Sequence, residues 1–348
     1  MTPRLKKLSE QTLVITGASS GIGLATARLA ARRGARVVLV SRDETDLQRA
    51  VEEIRTEGGE ALYVVADVAD PESVQRVVEA AEREYGGFDT WVNNAGVSIY
   101  GTIEEVPLAD ARRLFETNYW GVVNGSLAAV RHLRQRASHE GARKGGALIN
   151  VGSILSETAM PLQGHYSASK HAVKGFTDSL RIELEKDGAP ISVTTIEPSA
   201  IDTPYTEHAR NYLGVEPKQQ PPVYAPEVVA RAILRCAERS ERTVLVGGGA
   251  KMFTSMETFA PALGDRYKGL TAFSGQRTDR PPRGDDTLYA PRAGAGRERG
   301  NYPGHVRRSS TYTMVSFNPV KTLLGAAALG LGVALATRTG RWRGRGGW

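Results

Sequence analysis

The stretch Thr16-Gly17-Ala18-Ser19-Ser20-Gly21-Ile22-Gly23 decides how the rest of the chain is read. It follows the apolar run Thr12-Leu13-Val14-Ile15 and precedes Leu24-Ala25-Thr26-Ala27-Arg28-Leu29-Ala30, which is apolar at helical spacing. Strand, glycine-rich turn and helix, in that order, form the setting in which such a turn holds a pyrophosphate. Glycines let the backbone turn tightly and approach the anion. The helix N-terminus then offers unpaired N–H groups and the positive end of its dipole. An ordinary tight turn has the same pattern, so residues further along must decide.

About 140 residues downstream, Ala147-Leu148-Ile149-Asn150-Val151 reads as a strand ending in Gly152-Ser153. Tyr166-Ser167-Ala168-Ser169-Lys170 then leads into His171-Ala172-Val173-Lys174-Gly175-Phe176, again with helical periodicity. Tyr166 and Lys170 therefore share one helix face, one turn apart. A free tyrosine, with a pKa near 10, is a poor base at neutral pH. A cation within about 4–6 Å lowers such a pKa by roughly one to three units. Lys170 is placed to supply that cation, Tyr166 to act as general acid/base, and Ser153 to donate a hydrogen bond to a reacting oxygen.

Two more motifs complete the set: Asn93-Asn94-Ala95-Gly96 after another strand-like run, and Asn118 within Phe115-Glu116-Thr117-Asn118-Tyr119. Together, over about residues 8–250, these features resemble the short-chain dehydrogenase/reductase family. The resemblance implies an α/β Rossmann fold, a doubly wound parallel sheet of seven strands in the order 3-2-1-4-5-6-7. The alternation of strand-like and helical stretches points to the same class. It further implies an oxidoreductase that moves a hydride between a nicotinamide cofactor and an alcohol/carbonyl pair. Asn118, Ser153, Tyr166 and Lys170 would be its catalytic group, with Lys170 also on the nicotinamide ribose and Asn118 holding a water in a proton relay.

The cofactor site follows residue by residue. Gly17, Ser19, Ser20, Gly21, Ile22 and Gly23 form the pyrophosphate turn. After the strand Ala35-Arg36-Val37-Val38-Leu39-Val40, Ser41 stands where an NAD site would carry an acid, and Arg42 comes next. A guanidinium suits a 2′-phosphate, so NADP(H) is favoured. Asp43 keeps NAD(H) as the alternative. By the resemblance, Asp67 accepts from the adenine amino group beside Val68. Asn94, Ala95 and Gly96 line the adenosine ribose, although that motif also braces the sheet. Pro198, Ile201 and Thr203 hold the carboxamide; the family usually has Pro-Gly where this chain has Pro198-Ser199.

The 348 residues are 41% hydrophobic, enough for a sizeable core. Net charge is +7 but unevenly spread: residues 251–348 hold 16 Lys+Arg against 6 Asp+Glu, and residues 1–250 hold 29 against 32. A mildly acidic catalytic domain with a basic tail is not the footprint of a nucleic-acid binder. The single cysteine, Cys236, excludes an intrachain disulfide and fits a reducing, cytoplasmic setting. No Cys/His cluster has metal-ligand spacing.

Three segments are expected: a Rossmann-fold domain over 1–250, a partly irregular Arg/Gly/Pro-rich extension over 251–318, and an apolar helix with a basic end over 319–348. From Gly275 to about Ser310 few aliphatics occur, which suits a linker or extended arm. Residues 322–337 are uncharged and precede Arg338, Arg341, Arg343 and Arg345, a pattern that suits membrane association through 320–345. The substrate is expected to be a small carbonyl or alcohol, lipophilic if the tail meets a membrane. Its pocket would draw on Ile99, Tyr100, Leu155, His165 and the loop Pro204–Tyr224. A homodimer or homotetramer is expected from the resemblance. The non-enzymatic alternative is a dinucleotide-binding scaffold or sensor tethered by its tail.

Overall fold

In a computed structural model of the chain, the run Thr12–Thr16 forms strand β1 with all five residues buried. The structure describes residues 3–140, 145–292, 294 and 296–317. Six further strands join β1: β2 (Arg36–Ser41), β3 (Ala61–Val65), β4 (Thr90–Asn93), β5 (Gly146–Val151), β6 (Ile191–Pro198) and β7 (Thr243–Val246). They pair in parallel in the order β3-β2-β1-β4-β5-β6-β7, the topology expected from the sequence. Parallel strands covered on both faces need near-continuous apolar runs, and β1, β4, β5 and β6 are buried from end to end.

Alternate residues of each strand feed two cores. On one face Leu13 and Ile15 pack with Leu24 of helix α1 (Gly21–Arg32), Leu47 of α2 (Glu44–Thr56) and, further on, Val229 of the later helix Pro226–Glu238. On the other face Val14 packs with Val77 of α3 (Pro71–Tyr85), and the core continues beyond α4 (Leu108–Phe115) to Ala129 of α5 (Gly121–Glu140) and Leu184 of α6 (Gly164–Lys186). Helix Pro226–Glu238 is α7, and its Cys236 is fully buried in the first core. Burial pushes that thiol up to about 12, which suits a packing role.

Chain direction reverses between β1 and β4: the chain moves outward through β2 and β3, then returns to the other side of β1. Loops at the carboxyl ends of these two strands diverge there and leave a crevice, the usual ligand position in such sheets. The turns after β1, β2, β3, β4, β5 and β6 all open onto that edge.

Beyond β7 come α8 (Gly248–Phe259), α9 (Pro261–Gly275) and α10 (Thr311–Phe317). The stretch between α9 and α10, expected as a linker or extended arm, lies against the domain. Leu288 is fully buried, and Val306–Arg307 pairs with Val223–Tyr224. Its composition misleads because charge rather than aliphatic burial holds it, with basic side chains meeting an acidic domain at Arg297–Glu207 (2.5 Å) and Arg299–Glu227 (2.8 Å). Among the described residues no helix is long and apolar enough to cross a membrane. The apolar run 322–337 and its basic end lie outside the described residues.

Candidate active site

Thr16, at the end of β1, starts the glycine-rich turn. A Cβ at Gly23 would lie 2.2 Å from the Gly17 carbonyl oxygen and 2.6 Å from Asn94 Nδ2; one at Gly17 would lie 2.8 Å from Ala95 Cα. Only glycine fits this close approach. Asn94 Nδ2 donates to the carbonyls of Thr16 (2.9 Å) and Gly17 (3.2 Å), while Thr16 Oγ1 accepts from the N–H groups of Asn94 and Ala95. Asn94 and Ala95 thus brace the turn, and with Gly96 they also line the crevice.

Ser41 and Arg42 follow β2. Ser41 Oγ lies 2.9 Å from Ser19 Oγ, tying the two turns together. Arg42 donates to the carbonyls of Thr287 (2.5 Å) and Tyr289 (3.1 Å), partners supplied by the C-terminal arm. Asp43 Oδ1 accepts from Asp46 N–H at 3.0 Å and so caps α2. Asp67 receives Arg113 Nη2 at 2.6 Å and the N–H of Ala69 at 3.0 Å. Burial pushes its carboxyl up, but the hydrogen bond and charge of Arg113 carry it below the usual range. The sequence reading missed Arg113, since nothing in a helix face announces which side chain reaches a strand end.

At the other end of the crevice, Ser153 follows β5 and caps the short helix Ile154–Ser156. Its Oγ accepts from Leu155 N–H (3.1 Å), and its own N–H donates to Ser156 Oγ (3.2 Å). The first two turns of α6 carry Tyr166 and Lys170, both buried. Lys170 Nζ donates to the Val151 carbonyl at 2.9 Å and stands 5.6 Å from the centroid of the Tyr166 ring. Burial pushes Tyr166 up to about 12, opposed by hydrogen bonding with Tyr205 and Ser153. Burial also pushes Lys170 down to about 8. The lowering of Tyr166 by Lys170 expected from their spacing is not what this state shows, because desolvation drives both groups toward neutrality.

Asn118 sits in a π turn, Glu116–Trp120, between α4 and α5. Such insertions re-aim side chains and recur at functional sites. Its side chain is fully buried and clamped: Oδ1 accepts from Val97 N–H (2.8 Å), and Nδ2 donates to the Val97 carbonyl (3.0 Å) and Ser169 Oγ (3.2 Å). It thereby locks the loop after β4 onto α6.

Ser153, Tyr166 and Lys170 line a cavity of about 200 Å³ with Pro198, Ile201 and Thr203. An adjoining cavity of about 210 Å³ contains the glycine-rich turn, Ser41, Arg42, Asp67 and Val68. Every residue expected at the site lines one cavity or the other except Asn118, which lies behind Gly96, and Gly23, which packs against the Gly17 carbonyl and Asn94. Tyr100 and Leu155 also line the first, as expected; Ile99 and His165 do not. Phe253 of α8 and Gln276 after α9 join it. Ser199 needs no glycine, since Leu162 is the one described non-glycine with positive φ.

Tyr205, placed by sequence in the substrate loop, packs edge-on to Tyr166 with ring centroids 5.5 Å apart, and its hydroxyl donates to Gln163 Oε1 at 3.0 Å.

Three comparisons bear on this geometry. The family model described as short chain dehydrogenase matches residues 11–213. An uncharacterized oxidoreductase of Bacillus subtilis, YxnA, is 43% identical over 330 residues, covering 94% of this chain and 90% of its own. A short-chain dehydrogenase/reductase from Burkholderia phymatum, solved in complex with NAD, superimposes with a TM-score of 0.65 at 24% identity, over 76% of this chain and 96% of its own. An alcohol dehydrogenase from Thermococcus sibiricus, solved with 5-hydroxy-NADP, does so with a TM-score of 0.58 at 24% identity, over 68% and 95%.

Proposed function

The chain belongs to the short-chain dehydrogenase/reductase family and is an oxidoreductase, and on that footing we propose that it interconverts an alcohol and a ketone or aldehyde with NADP(H). The observation that carries this reading is the convergence of Ser153, Tyr166 and Lys170 on one cavity that adjoins the glycine-rich turn.

The residues fit a dinucleotide. The turn is a cradle in which Gly17 and Gly23 have no room for a Cβ. Two buried hydroxyls facing the cavities, Ser199 Oγ and Thr117 Oγ1, have no protein partner. Gly17, Ser19, Ser20, Gly21, Ile22 and Gly23 would hold the pyrophosphate, Asp67 and Val68 the adenine, Asn94, Ala95 and Gly96 the adenosine ribose. Pro198, Ile201 and Thr203 would hold the carboxamide. Structures of two similar proteins were solved with such cofactors. When bound, the nicotinamide donates or accepts the hydride.

The chain's own residues handle the proton. In reduction, Tyr166 gives its phenolic proton to the carbonyl oxygen as charge develops there, and Ser153 donates a second hydrogen bond to the same oxygen. In oxidation, Tyr166 withdraws the proton of the alcohol. Lys170, fixed by the Val151 carbonyl, keeps a cation beside the phenolate and offers its remaining protons to a ribose. Asn118 is a positioning residue for this group. Residues 1–250 would carry the chemistry, and 251–318 would shape the cavities. The lining by Tyr100, Leu155, Met160 and Phe253 favours a lipophilic substrate. Self-association as a homodimer or homotetramer would use α6, where Ile182 remains exposed.

For the 2′-phosphate, Arg42 is the binding residue and Ser41 its neighbour. One oxygen of Asp43 caps α2, while the other is buried in the lining of the same cavity without a protein partner, so Asp43 is the acceptor for the NAD(H) alternative. Fluorescence titration of the protein with NADPH and NADH tests this. NADPH should bind more tightly, and Arg42→Ala should weaken it by about 10- to 100-fold, the scale of a lost charged hydrogen bond, with NADH little changed. Equal response of both cofactors would reject the assignment.

A further inference from the structure

Residues 285–292 and 296–300 bridge the crevice from one lip to the other. On the lip formed by the glycine-rich turn, α1 and α2, the Arg297 carbonyl accepts from Gly21 N–H (2.9 Å), the Gly296 carbonyl from Arg49, and Glu298 pairs with Arg28 (2.7 Å). On the lip that follows β6, Arg297 pairs with Glu207, Asp286 with Arg210 (2.9 Å), and Thr287 N–H donates to the His208 carbonyl (2.9 Å). Backbone meets backbone at both ends. A Cβ on Gly296 would stand 2.6 Å from the Ser19 carbonyl oxygen, and one on Gly300 would stand 2.5 Å from that of Thr203.

This strap roofs the crevice and also holds two donors assigned to the cofactor, Gly21 N–H through the Arg297 carbonyl and Arg42 through the carbonyls of Thr287 and Tyr289, so these contacts part before a dinucleotide seats. The cavity of about 210 Å³ beneath has Ser19, Asp67 and Val68 on its floor side and Pro291, Arg292 and Gly296 on its strap side. Leu288 is the strap's fully buried apolar anchor; the rest of its hold is ionic and polar. Arg297 is about half exposed but its partner Glu207 is buried and accepts through both oxygens, a firm tie; Arg299–Glu227, with both partners partly exposed, is weaker and screened by salt. Segments with so few buried apolar contacts are the ones that open locally.

We propose that residues 285–292 and 296–300 form a latch over the dinucleotide, which lifts for each entry and exit of cofactor. The proposal rests on the reading of this crevice as the dinucleotide site. A ligand lying along the turn under a strap tied to both lips is enclosed from above, so the strap's opening sets the exchange rate. It also places Arg292 against the ligand, a cation for one of its phosphates. The strap's carbonyls already sit on Arg42, so a 2′-phosphate reaching that guanidinium shifts Thr287 and Tyr289 as it binds.

Stopped-flow fluorescence of the full chain with NADPH tests the latch. Gly296→Leu and Arg297→Ala unfasten it at different points, and neither residue belongs to the catalytic or cofactor-binding group. Both variants should speed association and dissociation by about tenfold or more, as for other gating segments, with a much smaller change in affinity. Rising salt should speed exchange in the wild type and far less in the variants. Without cofactor, trypsin should cut after Arg292 and Arg299 faster in the variants; saturating NADPH should slow that cleavage in the wild type. Faster cleavage with unchanged exchange rates overturns the latch, as does faster association with unchanged dissociation, which would mark the strap as a plug. If neither NADPH nor NADH binds any form, the dinucleotide reading itself falls. Binding with identical rates in all forms rejects the latch alone.

Discussion

Tyr166→Phe should lower kcat by about 10²–10⁴-fold, the usual yield of a positioned general acid/base, while NADPH affinity stays close to that of the wild type. The substitution removes one oxygen and keeps the ring. The edge-on packing against Tyr205 and the position of Lys170 beneath it should therefore survive. What disappears is the group that delivers the proton to the substrate oxygen. Steady-state kinetics and a cofactor titration on one preparation separate the two effects. A variant with near-normal turnover would place the proton donor elsewhere, and loss of both turnover and binding would point to collapse of the cavity.

Gly23→Val should abolish dinucleotide binding and destabilise the fold. Even a Cβ would sit 2.2 Å from the Gly17 carbonyl oxygen, and that oxygen is pinned by Asn94. Overpacking typically costs about 1–3 kcal/mol. Here the clash is with backbone, so the turn itself must open, and the N–H groups aimed at the pyrophosphate lose their convergence. Gly175→Ala is the control. Gly175 lies on α6 with open space around its Cβ position, so alanine should be neutral or stabilise by up to about 1 kcal/mol. Calorimetric titration and thermal unfolding of the two variants read both effects. Retained NADPH binding in Gly23→Val would mean that the turn is not the phosphate cradle.

Much of the site is legible because its parts are local. Ser153 ends a strand, Tyr166 and Lys170 share a helix face, and Gly17 to Gly23 turn a strand into a helix; each relation spans a few residues and follows from backbone geometry. Asn94 was readable as both brace and cofactor contact, and its bonds to the Thr16 and Gly17 carbonyls show the bracing half. The tuning of Tyr166 was less legible. Spacing reveals the nearby cation but not the desolvation that pushes phenol and ammonium alike toward neutrality, nor Tyr205 arriving from 39 positions downstream.

Periodicity and turn residues, which act over short distances, made the α/β class readable from the sequence, and the resemblance to the short-chain dehydrogenase/reductase family supplied the order of the seven strands. Only the tertiary structure decided how the last described segment is used. An arm poor in aliphatics and rich in arginine reads as solvated chain when taken alone. Its cations find acids at Glu207 and Glu227, and its own Asp286 finds Arg210, only after the domain has folded. Charge pairing of this kind depends on three-dimensional distance and leaves no period in the sequence, so the strap across the crevice became visible only in the fold.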